Sequence, residues 1–228
     1  MKTGLIGGTS LIHSEVFASW TAERHTTVFG QRSFRRFGNV VALNRHGPEG
    51  ATPPHAINHR ANISLFRDMR AESVIAVCSV GSLRKELPPG TLVCCSDYVS
   101  FFPATFQDET LRAITPSIAN NLVSEIARDL RFDIVRDQVY VQTRGPRFET
   151  PAEIRILREW GDVVGMTLGA EADLCAEAGI AYNAIAVVDN YANGTTETPL
   201  SAEDFRAQVA RNQNRVEAVL KAIIGLYA

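Results

Sequence analysis

The chain has 228 residues, 45% of them hydrophobic and 21% charged, with 16 Gly and 10 Pro, which is the composition of a folded globular chain with length for one large domain or two small ones. Lys and Arg number 23 against 25 Asp and Glu, a formal net charge of -2, so no excess of cations is available to neutralise a phosphate backbone and general nucleic-acid binding is excluded. Cys78, Cys94, Cys95 and Cys175 form no CxxC pair and share no ligand spacing with the five histidines, and the apolar runs fall far below the roughly 20 residues of a membrane helix; the expectation is a cytoplasmic protein with reduced thiols and no structural metal.

In chain order, Leu5-Ile6 runs into Gly7-Gly8-Thr9-Ser10, the pattern of a buried strand entering a tight polar turn. Asn39-Val40-Val41-Ala42-Leu43 leads to Arg45-His46-Gly47. Ala61 to Arg70 carries Ile63, Leu65, Phe66 and Met69 at helical spacing. Ser73 to Cys78 is apolar on both faces and runs into Ser79-Val80-Gly81-Ser82, read as a turn. Ile118 to Leu130 places apolar residues four apart and predicts a helix. Val139 to Val141 leads through Gly145-Pro146 to Thr150, an N-cap for a helix over Pro151 to Trp160. Val163-Val164 precedes Gly165-Met166-Thr167, and Glu171 to Ala178 predicts a helix stopped by Gly179. Tyr182 to Val188 is a further strand, ending at Asp189-Asn190. Ser201 caps a long terminal helix to Leu226, with Asp204 at the third position of a capping box. Strands apolar on both faces that alternate with helices predict an α/β fold, a central mixed sheet flanked by helices, in one domain over 1–228.

Several residues at these strand ends could carry chemistry. The turn at Gly7 to Ser10 offers accessible N–H groups and hydroxyls suited to an oxyanion, although it is neither a P-loop nor a dinucleotide fingerprint and serves equally as a tight turn. Arg45 can take a phosphate or carboxylate with two parallel hydrogen bonds, and His46 can add a donor; a surface Arg-His pair is the plain alternative. Phe148 can stack on a planar base and Glu149 can accept N–H bonds at its edge, or the first can be core and the second a helix-start charge. Met166 offers an adaptable apolar surface, Thr167 a hydroxyl, and Asn190 an amide that donates and accepts. Histidines 13, 25, 55 and 59 read as structural or surface residues.

Taken in order, Gly7-Gly8-Thr9, Arg45-His46-Gly47, Asn58-His59-Arg60-Ala61-Asn62, Gly81-Ser82-Leu83, Gly145-Pro146-Arg147-Phe148-Glu149, and Gly165-Met166-Thr167 with Glu171 closely resemble the trimeric purine nucleoside phosphorylase and methylthioadenosine phosphorylase family, from Gly4 to about Gly194. The resemblance implies a pentosyltransferase: a purine nucleoside and inorganic phosphate give free base and pentose 1-phosphate, with no metal or organic cofactor. It further implies a homotrimer or a dimer of trimers. By position, Thr9, Arg45, His46, the backbone of Ser79 and the hydroxyl of Thr167 are the phosphate site. Met166 lies under the ribose, and Phe148, Glu149 and Asn190 meet the base, so that Thr9, His46, Glu149 and Asn190 are the candidate catalytic residues.

The Glu149 and Asn190 pair resembles the 6-oxopurine arrangement, because a glutamate accepts from N1–H whereas a 6-aminopurine presents an unprotonated N1. Inosine, guanosine or 5′-methylthioinosine is the expected substrate. A 5′-methylthioadenosine phosphorylase, a hydrolytic nucleosidase and a noncatalytic nucleoside-binding protein are the alternatives. The sequence departs from the family at Asp189, one residue from the base position, and at Cys78, where a hydroxyl residue is usual. It is also short in 17–37 and 100–114, where Phe101, Phe102 and Phe106 are candidates for the 5′ pocket of a neighbouring subunit.

Overall fold

A computed structural model gives the fold; it describes every residue except 9, 10, 12, 13, 108–116, 131 and 198, and only the backbone at 202. Nine strands form one mixed sheet: β1 (Thr3–Gly7), β2 (Thr21–Thr27), β3 (Gly30–Phe37), β4 (Val40–Asn44), β5 (Ser73–Ser82), β6 (Leu92–Val99), β7 (Ile134–Gln142), β8 (Val163–Gly165) and β9 (Ala181–Tyr191). The described helices are α1 (His59–Asp68), α2 (Asn121–Asp129), α3 (Pro151–Leu157), α4 (Leu168–Ala178) and α5 (Ala202–Tyr227). The order is β2-β3-β4-β1-β5-β8-β7-β6-β9, and β9 also pairs with β5, so the last strands curl back on the central one as a small barrel.

The alternation along β5 explains why its neighbours cover both faces. Val74, Ala76, Cys78 and Val80 join Ile63, Phe66, Leu168 and Ala172 of α1 and α4 in one core, while Ile75 and Val77 join Leu122, Ile126, Val219 and Ile223 of α2 and α5 in the other. A strand buried on both sides reads as a continuous apolar run, and this is what the sequence shows at β5 and β9. Thr150 caps α3 in a complete capping box with Glu153, and Gly179 ends α4 in the left-handed region, φ 69°.

Several expectations change. Ser79 to Ser82 is not a turn. It continues β5, because Gly81 and Ser82 gain antiparallel partners in Val164 and Val163 of β8. Likewise Asp189 and Asn190 belong to β9. The helix expected from Ile118 starts only at Asn121, after Asn120 at φ 51°, and α4 starts at Leu168, before Glu171. In α5 the Ser201 hydroxyl accepts from the Asp204 N–H at 3.0 Å and donates to its carboxylate at 2.6 Å, an N-cap whose acid answers the hydroxyl. The β2–β3 hairpin and β6 carry polar or short apolar patterns, among them Thr21-Ala22-Glu23-Arg24-His25, that gave no strand expectation.

Candidate active site

A cavity of about 780 Å³ opens at the ends of β1, β4, β5, β8 and β9, and α5 forms one wall. Arg45, His46, Ser79, Phe148, Glu149, Met166, Thr167 and Asn190 all line it, so the structure brings together residues spread over most of the sequence. Thr9 lies outside the described residues; its neighbour Gly8 lines the cavity. A Cβ on Gly8 would lie 3.2 Å from Arg45 Nη1 and 3.4 Å from His46 Nε2, which ties this glycine to both.

At one end of the cavity the polar groups are already connected. Arg45 is buried (3% exposed). Its Nε donates to Glu171 Oε1 at 2.6 Å and its Nη2 to Glu171 Oε2 at 3.2 Å, while Nη1 donates to the Val77 carbonyl at 3.0 Å and Nη2 also to the Ile6 carbonyl at 3.3 Å. The paired donors expected for an anion are thus given to a carboxylate of the chain itself, and among the described residues a single N–H on Nη1 is left over. Burial alone would lower the guanidinium, but the Glu171 carboxylate more than offsets it and the group is held above its ordinary value. Glu171, fully buried, also accepts from Tyr182 Oη at 2.9 Å.

His46 Nδ1 lies 2.7 Å from the Thr52 carbonyl. A carbonyl only accepts, so Nδ1 carries the proton and the neutral ring has a lone pair on Nε2, toward Gly8. Burial pulls the imidazole below its usual range. His46 is therefore an acceptor for an anion bearing O–H, where a donor was expected.

Thr167, Cys78 and Ser79 complete this end. Thr167 precedes α4, and its N–H donates to Tyr140 Oη at 3.0 Å. A Cβ at Gly165 would sit 2.4 Å from that phenol oxygen, so the glycine is what lets Tyr140 reach the helix start. Cys78, whose thiol burial pushes up to about 11, stands 3.6 Å from Arg45 Nη2. Along a strand, N–H and C=O of one residue face the same side and alternate. Since Val77 C=O turns to Arg45, the Ser79 N–H turns to that same side, which β1 leaves after Gly7.

The other end is less committed. Glu149 Oε1 accepts from Thr143 Oγ1 at 2.6 Å, leaving Oε2 without a partner among the described residues, and the Glu149 carbonyl accepts from Asn193 Nδ2 at 2.8 Å. Asn190 Nδ2 donates to the Tyr191 carbonyl at 2.9 Å, so a second N–H and Oδ1 have no partner among the described residues. A Cβ on Gly81 would lie 3.1 Å from Asn190 Nδ2. Phe148, 37% exposed, meets Phe205 of α5 edge-on at 5.5 Å. Phe205 and Val209, one turn apart on α5, line this wall; sequence reasoning assigned the helix no part in the site.

Asp189, noted in the sequence only as a departure from the family, was likewise given no part in the site. Val80 pairs with Val188 and Gly81 with Asn190, so Asp189 is an extra residue in a β-bulge. Its Oδ1 accepts from Asn212 Nδ2 at 2.7 Å and its Oδ2 from the Ser79 hydroxyl. This occupies both oxygens of the carboxylate, while Asn190 beside it bonds to the Tyr191 carbonyl. Among the histidines, His25 lies 2.9 Å from Asp68, and His59 is partly buried, its Nδ1 4.0 Å from Glu171 Oε1 and without a hydrogen-bond partner among the described residues. Phe106 packs against Phe29 at 5.5 Å, whereas Phe101 and Phe102 are exposed, Phe101 against Trp160 at 5.0 Å. All four cysteines are buried thiols. Among the described residues no cluster of His, Cys, Asp and Glu could hold a metal ion, and no helix is long and apolar enough to cross a membrane.

A mixed sheet that curls into a barrel, with a cavity at its strand ends pairing a buried arginine and imidazole with a phenylalanine, a glutamate and an asparagine, defines a nucleoside phosphorylase-like enzyme fold. The chain belongs to the phosphorylase superfamily, whose family model matches residues 2–225. It is 34% identical to a probable 6-oxopurine nucleoside phosphorylase of Archaeoglobus fulgidus, over 96% of this chain and 93% of that one. It is 32% identical to a probable S-methyl-5′-thioinosine phosphorylase of Methanocaldococcus jannaschii, over 97% and 91%. Among solved structures, the methylthioadenosine phosphorylase of Schistosoma mansoni in complex with adenine has the same fold, with a TM-score of 0.84 over 99% of this chain and 91% of that one, at 24% identity.

Proposed function

We propose that the chain, as one domain over 1–228, phosphorolyses 6-oxopurine nucleosides: phosphate oxygen bonds to C1′ of the pentose, the C1′–N9 bond breaks, and its electron pair leaves on the base. The observation that carries the reading is the joint valence of Glu149 and Asn190. With Oε1 satisfied by Thr143, Glu149 Oε2 accepts N1–H. Asn190 Oδ1 accepts from N7 as it protonates, and its remaining N–H donates to O6. A 6-aminopurine would set its N1 lone pair against Oε2, an acceptor facing an acceptor in a half-closed pocket. The relatives named as 6-oxopurine nucleoside and methylthioinosine phosphorylases support the same choice.

At the other end, phosphate as the co-substrate takes the remaining Arg45 Nη1 proton, the Ser79 N–H and the Thr167 hydroxyl, with Thr9 assigned from the sequence alone. Its own O–H donates to His46 Nε2. Met166 lies against the pentose. Charge separation in the transition state, positive on the sugar and negative on the base, is then opposed from both ends. No metal or organic cofactor has a step in this scheme. A homotrimer, in which Phe101 and Phe102 of one copy reach the site of the next, is the assembly we expect.

The test is release of hypoxanthine from inosine and from 5′-methylthioinosine, with and without phosphate, beside adenosine and 5′-methylthioadenosine. Phosphate-dependent turnover of the 6-oxo substrates in at least about tenfold preference to the 6-amino ones is expected. Release without phosphate would mean a hydrolase, and equal use of adenosine would overturn the base assignment.

A further inference from the structure

The Asp189 carboxylate has an unusual setting. It is 3% exposed and lines the same cavity as Arg45 and His46. Both of its polar neighbours donate to it: the Ser79 hydroxyl from β5 and Asn212 Nδ2 from α5. Asn212 is itself held in place, donating to the Val188 carbonyl at 3.2 Å and accepting from Gln208 Nε2 at 3.0 Å. Among the described residues no Lys, Arg or His forms an ion pair with Asp189. Burial raises the carboxyl above its ordinary value, and the two donors oppose that by favouring the ionised form. The cavity thus contains a negative group whose charge is answered by hydrogen bonds alone.

Its position relative to the anion end follows from Ser79. The serine N–H faces the side of β5 that β1 leaves free, and its hydroxyl points to Asp189, so one residue separates the carboxylate from an anion on that N–H. The hydroxyl proton is spent on Asp189 and is not offered to the anion. We propose that Asp189 is an affinity-determining positioning residue for phosphate: it withdraws the Ser79 hydroxyl and repels the bound anion, holding phosphate affinity below what the site's donors would give.

The proposal rests on the phosphorolytic reading, and it has a sign that a structural role lacks. An Asp189→Asn side chain keeps the shape. Its Oδ1 still accepts from Asn212, its Nδ2 donates to Ser79 Oγ, and the serine proton is freed to turn toward phosphate. The like-charge repulsion disappears with it.

The experiment measures phosphate binding directly, by titration calorimetry with inorganic phosphate, together with phosphate and inosine KM, in wild type, Asp189→Asn and Asp189→Ser. The serine variant still offers Asn212 an acceptor without charge and covers a failure of the first variant to fold. The expected result is a phosphate Kd and KM lowered at least about fivefold in the folded variants, with inosine KM at saturating phosphate unchanged within about twofold. Phosphate binding equal to or weaker than wild type in a folded variant overturns the proposal. Wild type that binds no phosphate and turns over without it overturns the phosphorolytic reading instead.

Discussion

The two ends of the cavity solve opposite problems. At the Arg45 end a full charge is buried, and the chain supplies nearly all of its partners before any ligand arrives: Glu171 on two nitrogens, the Val77 and Ile6 carbonyls on the rest. At the Phe148 end the side chains keep valences unspent, with Glu149 Oε2 and one N–H and Oδ1 of Asn190 open among the described residues and the phenyl ring partly in solvent. A buried charge must be satisfied within the fold or the fold is lost, so the first end is rigid by necessity. Selectivity needs groups whose satisfaction depends on the ligand, so the second end can only be completed by it.

This contrast can be broken most severely at Glu171. Glu171→Ala leaves Arg45 buried without its counter-charge and should destabilise the protein by about 3–5 kcal/mol, read from denaturant unfolding, with activity lost; a change below about 1 kcal/mol would show the end to be less wired than described. The same end should respond to acid through His59. Burial, opposed by Glu171 and aided by Arg45 and His46, lowers its imidazole to about 4. Because the folded value lies below the ordinary 6.5, the unfolded chain binds the proton first as pH falls. Stability is then full above pH 6.5 and is lost toward pH 4, by up to about 3 kcal/mol. His59→Gln should flatten that part of the stability–pH curve.

Gly165→Ala probes the link between the ends, since its methyl meets Tyr140 Oη at 2.4 Å. A loss of about 1–3 kcal/mol is expected in thermal unfolding, as for other overpacked core sites. At the open end, Glu149→Ala should leave stability within about 1 kcal/mol of wild type while reducing the inosine over adenosine ratio of kcat/KM by about ten- to hundredfold. Phe148→Ala should be mildest of all for stability, within about 1 kcal/mol because the ring is already partly hydrated, and should raise nucleoside KM more than phosphate KM. If it raised both equally, the two ends would not be separable.

The sequence made the buried strands and capped helices legible because their patterns are local. Ile75 and Val77 alternate with Val74 and Ala76 within a few residues, and Thr150 and Glu153 cap a helix across one turn. Residues that line the cavity were legible by type, as Arg45, Phe148, Glu149 and Asn190 were. What remained hidden depends on long-range pairing. Nothing near Arg45 announces that a glutamate 126 positions away will take its fork, and nothing in Ser79-Val80-Gly81-Ser82 announces β8. The polar hairpin of β2 and β3 has one face toward solvent, so its alternation carries too little apolar contrast to stand out. Asp189 was visible as a letter, but its direction is set by a bulge that only the pairing of β5 with β9 reveals.

That bulge has a consequence for how such a site can change. In a regular strand, successive residues look to opposite faces, and a substitution that reshapes one side of a pocket leaves its neighbour in another compartment. Here the added residue turns two adjacent codons toward one chamber, with Asp189 answering Ser79 and Asn190 left to the incoming ring. The residue that answers Ser79 and the amide that faces the cavity are thereby neighbours in sequence, and each can be substituted without touching the other.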